Sequence, residues 1–118
     1  MVRGEIYFMD LVPRSGSKQT GRRPGIIVSH DAFSANPRWN SITIVPLTSA
    51  KRWQMPSPTT LLFGEGECEL PKACAALAHQ VTTLDKSKIL APRIGMLTPS
   101  KMAGLETALR NYLRLQSV

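Results

Sequence analysis

The chain has 118 residues, of which 42% are hydrophobic, and it carries a formal net charge of +7 with a pI of about 10.0. This length predicts one domain over residues 1–118, and the hydrophobic fraction excludes a disordered chain. No apolar run approaches the roughly 20 residues of a membrane span, and the N-terminus lacks the apolar stretch of a signal peptide, so we expect a soluble, cytoplasmic protein without membrane contacts.

The first two thirds of the sequence predict five short strands. Runs of β-branched and aromatic residues between turn-forming segments are typical of strands. These runs cover residues 5–12, 24–29, 41–48, 59–63 and 73–81. In the third run, Pro46 indicates an edge strand or a bulge. The alanines of the fifth run also suit a helix, but its short length favours a buried strand. Residues 85–88 predict a turn or a single helical turn.

The C-terminal segment predicts an amphipathic helix. Thr98 is a good N-cap, and Pro99 suits the first helical position. Apolar residues recur at spacings of three and four and form one stripe: Met102, Leu105, Leu109, Leu113 and the adjoining Tyr112. Several strands followed by one helix predict a mainly β fold, either a small β-barrel or a tightly rolled sheet, with the helix packed on it.

Positive charge is concentrated in two predicted loops. Residues 14–23 hold four basic residues and no acidic one, while Lys51 and Arg52 precede Trp53. Cations bind phosphates and an indole stacks on an unpaired base, so the pattern is typical of single-stranded nucleic acid binding. Alternatively, these loops are only solvated, and Trp39 and Trp53 are core residues. The polar neighbours of Trp53 disfavour a core position for that residue.

The sequence contains neither a metal-ligand cluster nor a cofactor motif. Cys68 and Cys74 lie six residues apart, and neither has a histidine partner at zinc-site spacing. We therefore expect two reduced thiols, no metal site and no cofactor. The residues best suited to chemistry are the arginines before Pro24, because a guanidinium at the entry of a strand can hold a phosphate by two parallel hydrogen bonds. The alternative is a solvated arginine or a structural salt bridge.

Motifs along nearly the whole chain resemble those of MazF/PemK (Kid) toxins of type II toxin–antitoxin systems. They occur in the family's order and comprise Arg3-Gly4-Glu5-Ile6-Tyr7, Pro13, Gly16-Ser17-x-Gln19, Gly21-x-Arg23-Pro24, Ile26-Ile27-Val28-Ser29, Val45-Pro46-Leu47-Thr48-Ser49 and His79-Gln80-Val81-x-Thr83-Leu84-Asp85-Lys86. The resemblance implies a small SH3-like barrel of the CcdB/PemK type with a C-terminal helix, assembled as a homodimer.

The resemblance also implies an activity and a set of site residues. Members of the family are sequence-specific, metal-independent endoribonucleases (mRNA interferases) that cleave single-stranded RNA and are neutralised by a cognate antitoxin. The family's catalytic arginine falls on Arg23, which directly precedes the proline, and its catalytic threonine falls on Thr48. His79 is a candidate acid or base, with a purely structural histidine as the alternative. The candidate RNA-binding residues are Ser17, Lys18, Gln19, Arg22, Ser49, Lys51, Arg52, Trp53 and Gln80.

Two departures from the family pattern affect the expected rate and cleavage sequence. Lys18 stands where many members have an acid, and Thr82 replaces an arginine. In addition, Leu77 and His79 occupy positions where some PemK-like members have an arginine and an aspartate. Acid–base help is therefore not expected from the Lys18 position, and the variant of the site with an arginine and an aspartate does not carry over to Leu77 and His79.

Two other functions remain open alternatives. One is a gyrase-poisoning toxin like CcdB, which shares the fold and acts by binding a protein. The other is a non-catalytic RNA-binding module. For the toxin, the positive field of the groove predicts an antitoxin with an acidic C-terminal tail, and contact with DNA only through that antitoxin.

Overall fold

The protein folds as one antiparallel sheet with a C-terminal helix. The computed structural model describes residues 1–11 and 21–115. The strands are β1 (Glu5–Asp10), β2 (Arg22–Ile27), β3 (Ser41–Thr48), β4 (Thr60–Phe63), β5 (Cys74–Leu77), β6 (Thr82–Asp85) and β7 (Ile89–Met96). The helices are a single turn, α1 (Asp31–Ser34), and the longer α2 (Pro99–Leu113). Short 3₁₀ turns span Lys51–Trp53, Glu67–Glu69, Ala78–Gln80 and Lys86–Lys88.

The strands follow the order β4-β5-β3-β2-β1-β7, and β6 pairs with a separate part of β3. Among the described residues, β4 and β7 do not pair with each other, so the sheet is not closed and the barrel description holds only loosely. The sheet is nevertheless rolled, because Phe63 of β4 and Ile6 of β1 belong to one buried cluster.

Strand β3 is central, so the expectation that Pro46 marks an edge strand is wrong. Thr43 O accepts a hydrogen bond from Val28 N on the β2 side. Successive residues of a strand direct their backbone groups to opposite neighbouring strands. Pro46 is three residues after Thr43, so its nitrogen faces away from β2. There β6 pairs only as far as Ile44, and β5 begins to pair at Leu47. The missing N–H therefore falls where no neighbouring strand needs it.

Two apolar clusters occupy the two faces of the sheet. Ile26 and Val45 lie opposite each other across β2 and β3 and belong to the larger cluster, which includes Leu105 of α2. Ile27 and Ile44 also lie opposite each other and belong to a second cluster. Successive side chains of a strand point to opposite faces, so each face of β2 and β3 is covered by its own apolar packing.

Helix α2 begins as predicted and is buried over less of its length than predicted. The Thr98 side chain accepts a hydrogen bond from Lys101 N, and Pro99 is the first helical residue. Leu105 is fully buried, but Tyr112 and Leu113 are 49% and 47% exposed. The predicted apolar stripe is therefore wrong for the last turn, which lies past Ala108, the last buried residue of the helix. Neither described helix is both long enough and apolar enough to cross a membrane.

Most of the predicted strands are confirmed, but β6 and β7 were not predicted. The predicted run 41–48 matches β3, while the run 73–81 forms a strand only over Cys74–Leu77 and then turns. The predicted turn at 85–88 is confirmed by the Lys86–Lys88 turn, although Asp85 itself ends β6. In β7, Pro92 and Gly95 have low strand propensity, so the local sequence does not predict a strand. Pairing with β1 stabilises the extended conformation instead.

Candidate active site at the ends of β2 and β3

Arg22 and Arg23 begin β2, where they pair with Asp10 and Met9 of β1. Arg22 is exposed and Arg23 is half-buried. In the described ranges 1–11 and 21–115, the ion pairs are those of Arg3, Arg93 and Lys101. Within that part of the chain, no carboxylate neutralises Arg23, which disfavours the structural salt bridge as an explanation for this arginine.

The pairing between β2 and β3 stops just before Arg23 and Thr48. The paired residues run from Ile27–Ile44 to Gly25–Pro46. Alternate residues of a strand direct their backbone groups to the same neighbouring strand, so Pro24 faces β3, as Val28 does. A proline, however, has no N–H to donate to β3. The ladder therefore ends at this point, and Arg23 and Thr48 flank its open end.

Arg23 and Thr48 lie on the same face of the sheet. Continued by two residues, the β2–β3 register sets Arg23 across from Thr48. Alternation along each strand places both on the face of Ile27 and Ile44 and places Arg22 on the opposite face. An arginine and a hydroxyl can thus approach one phosphate from neighbouring strands.

The hydroxyl of Thr48 is oriented by the chain that follows it. Thr48 is the half-buried last residue of β3, and its Oγ1 accepts a hydrogen bond of 3.2 Å from Ala50 N. A threonine hydroxyl has one proton to donate besides its acceptor lone pairs. Since the backbone contact uses a lone pair, the proton remains free to be donated to a ligand oxygen.

The second basic segment forms a short 3₁₀ turn, Lys51–Trp53, that begins two residues after Ser49. Lys51 and Arg52 are exposed, and the Arg52 guanidinium carbon lies 5.7 Å from the centre of the Trp53 ring. The Gln54 side chain donates to the Ser49 carbonyl oxygen at 2.8 Å. Trp53 is half-buried, so it is neither a core residue nor fully free to stack on a base.

His79 and Gln80 lie in the 3₁₀ turn that follows β5, and both are half-buried. The His79 ring lies 5.0 Å from that of Trp53 and 6.2 Å from that of Tyr112. The structure thus brings the predicted residues Trp53 and His79 together. Thr82, in place of the family's arginine, starts β6 opposite Ile44.

Sequence reasoning did not assign Tyr112 to the site. Its position on the helix predicted a core contact, and only the tertiary fold brings it to His79. The predicted contacts of Ser17, Lys18 and Gln19 lie outside the described residues. Within the described ranges, no three His, Cys, Asp or Glu residues are grouped to hold a metal ion. Cys68 and Cys74 are free thiols, and burial raises the pKa of Cys74 to about 11, which disfavours a thiolate nucleophile there.

Comparisons with known proteins agree with this fold. A family model described as a PemK-like, MazF-like toxin of type II toxin–antitoxin systems matches residues 2–113. The chain is 34% identical over 122 residues to endoribonuclease MazF9 of Mycobacterium tuberculosis (strain ATCC 25618 / H37Rv), with 99% of each chain covered.

Solved structures show the same architecture. An endoribonuclease in complex with its cognate antitoxin, from a mycobacterial species, has a TM-score of 0.77 at 26% identity and covers 100% of this chain and 99% of its own. MazF (Form-I) from Deinococcus radiodurans has a TM-score of 0.77 at 20% identity, with 98% and 97% covered, and supports the fold. The chain belongs to the PemK-like, MazF-like toxins of type II toxin–antitoxin systems.

Proposed function

We propose that this toxin is a metal-independent, sequence-specific endoribonuclease that cleaves single-stranded RNA in the cytoplasm. The observation that carries the proposal is the shared position of Arg23 and Thr48 at the open end of the β2–β3 ladder. Membership of the toxin family and the 34% identity to an endoribonuclease support the same conclusion. They favour an enzyme over a gyrase poison of the CcdB type.

The proposed reaction is an attack of the RNA 2′-hydroxyl on the adjacent phosphorus. The 2′-oxygen loses its proton and bonds to phosphorus, the bond from phosphorus to the 5′-oxygen breaks, and that oxygen gains a proton. The products are a 2′,3′-cyclic phosphate and a 5′-hydroxyl. Negative charge builds on the phosphoryl oxygens in the transition state, and the Arg23 guanidinium and the Thr48 hydroxyl are donors that stabilise it.

The proton transfers need groups other than Arg23, because arginine keeps its proton in proteins. His79 is proposed for one of them, since a neutral imidazole has one nitrogen that accepts a proton and one that donates a proton. The RNA backbone is proposed to contact Lys51 and Arg52, with Trp53 available to a base through its exposed part. Ser49, Gln80 and Arg22, together with Ser17, Lys18 and Gln19, complete the proposed RNA surface.

One assay separates the three functions considered for this fold. We expect the purified protein to cut a long single-stranded RNA in EDTA, because the proposed chemistry uses no metal. Retention of the RNA without cleavage would support the non-catalytic binding module instead. If the RNA is neither cleaved nor retained, the result would support a toxin that acts by binding a protein. An absolute requirement for Mg²⁺ would contradict the proposed chemistry.

We propose a homodimer as the assembled form. Strands β4 and β7 each pair with a single neighbour among the described residues, and Phe8 is 43% exposed on β1. Unpaired strand edges and exposed apolar side chains favour association with a second copy. Light scattering should give twice the 13.0 kDa chain mass at micromolar concentration. A mass of one chain would contradict this assembly.

The proposed antitoxin carries an acidic C-terminal tail that covers the RNA-binding surface and competes with RNA. Exposed cations mainly raise the association rate of an acidic partner. Replacing both Lys51 and Arg52 with Ala should therefore slow antitoxin association about tenfold at low salt and flatten its salt dependence. Stopped-flow measurements from about 50 to 300 mM salt span the range in which screening changes most. Equal rates for the variant and its parent would remove these residues from the antitoxin surface.

A further inference from the structure

Three aromatic rings from separate parts of the chain form a continuous stack beside the proposed site. Trp53 lies after β3, His79 after β5, and Tyr112 in the last turn of α2. The centres of the Trp53 and His79 rings are 5.0 Å apart with an interplanar angle of 37°, while those of His79 and Tyr112 are 6.2 Å apart at 69°, an edge-to-face arrangement. These centroid distances fall within the range of favourable aromatic pairs.

The same turn of α2 also holds the far end of the β3–β4 loop. The Asn111 side chain donates a 2.8 Å hydrogen bond to the Pro58 carbonyl oxygen. Tyr112 follows Asn111 directly and reaches His79. The loop between β3 and β4 is thus fixed to the helix at its end by a hydrogen bond and near its start by the ring stack.

The fixed turn is the one that carries the proposed phosphate contacts. Trp53 ends the 3₁₀ turn that begins at Lys51, and the Arg52 guanidinium lies over the Trp53 ring. Upstream, Ala50 N donates to the Thr48 hydroxyl oxygen. A shift of the Trp53 ring would therefore move Lys51 and Arg52, and the side-chain stack limits that shift.

We propose that Tyr112, acting through His79 and Trp53, is a positioning residue that holds the Lys51–Trp53 turn in its RNA-binding arrangement. This inference rests on the proposed function. Tyr112 itself is not proposed to touch the reacting phosphate or Thr48. Its contribution is to the RNA-binding turn, so its loss should raise KM. The kcat should fall by a smaller factor, because Tyr112 also contacts His79, the group proposed for one proton transfer.

The test uses a Trp39→Phe background, in which Trp53 is the sole tryptophan. Tyr112→Ala should shift the Trp53 emission to longer wavelength, as the ring becomes more exposed. It should also raise KM for single-stranded RNA about 3- to 10-fold, and lower kcat by a smaller factor through the displaced His79 ring. Tyr112→Phe keeps the ring and should restore both values.

Leu113→Ala is the matched control, because Leu113 lies on the same helical turn and is similarly exposed. It should change neither the emission nor KM, and circular dichroism should show equal helix content in all variants. Unchanged emission and KM in Tyr112→Ala would overturn the proposal, as would equal effects of Leu113→Ala. If the background protein cuts no RNA, the proposed function fails; the emission and the Kd for RNA then decide the positioning role separately.

Discussion

Arg23→Ala should lower kcat/KM for RNA cleavage by about 10³-fold. A positively charged donor aimed at developing phosphoryl charge contributes more to the transition state than to the ground state, and loss of one such donor costs about 10²–10³ in rate, or more for an arginine. The fold should survive, because Arg23 is a half-buried residue at the start of β2 and belongs to neither apolar cluster. Cleavage of a fluorescent RNA gives the rate, and thermal unfolding checks the fold.

Arg22 provides the matched control for this change. It has the same side chain and the same strand, but alternation places it on the opposite face, where it is exposed. Arg22→Ala should reduce cleavage by less than about tenfold, mainly through weaker RNA binding, as expected for a contact that only adds positive charge. Similar losses in the two variants would show that the catalytic arginine has been assigned wrongly.

Thr48→Val should lower kcat by about 10²-fold while keeping the shape of the side chain. Valine removes the hydroxyl proton that we propose is donated to a phosphoryl oxygen. It also leaves Ala50 N without its acceptor, so part of the loss can come from the backbone after β3. Thr48→Ser keeps the hydroxyl and should recover most of the rate, which separates the lost donor from a general disturbance.

Thr43 offers a control on the same strand. Its Oγ1 lies 2.8 Å from Thr83 Oγ1, away from the open end of the ladder. Thr43→Val should leave kcat within about twofold, since it removes an exposed hydroxyl pair of small energetic weight. If Thr48→Val were as active as Thr43→Val in single-turnover cleavage, the Thr48 hydroxyl would have no part in the chemistry.

The sequence predicted strands well where the local pattern and the pairing agree. β3 combines β-branched residues with a buried central position, so its bounds of Ser41 and Thr48 were predicted correctly. β7 is exposed or half-buried at every residue except Gly95, and it contains a proline and a glycine, so only its pairing with β1 makes it a strand. Such pairing joins residues distant in sequence, and local propensity contains no information about it.

The candidate site likewise contains residues that the sequence predicted and features that only the fold reveals. Arg23 and Thr48 were identified through motifs, and their common face follows from a register that the sequence does not display. The role of Pro24 in ending the ladder needed the direction of its backbone. Tyr112 was assigned to the apolar stripe because helical spacing cannot tell a buried position from the end of a helix that leaves the core.

The most direct test of the proposed chemistry replaces the attacking group itself. Once the cleavage position in a short RNA has been mapped, the nucleotide on its 5′ side is made 2′-deoxy, which removes one oxygen from the substrate. The altered strand should bind with an unchanged Kd and remain uncut, while the all-RNA strand yields a 2′,3′-cyclic phosphate and a 5′-hydroxyl. Cleavage of the 2′-deoxy strand at that position, or products with a 5′-phosphate, would contradict attack by the 2′-hydroxyl.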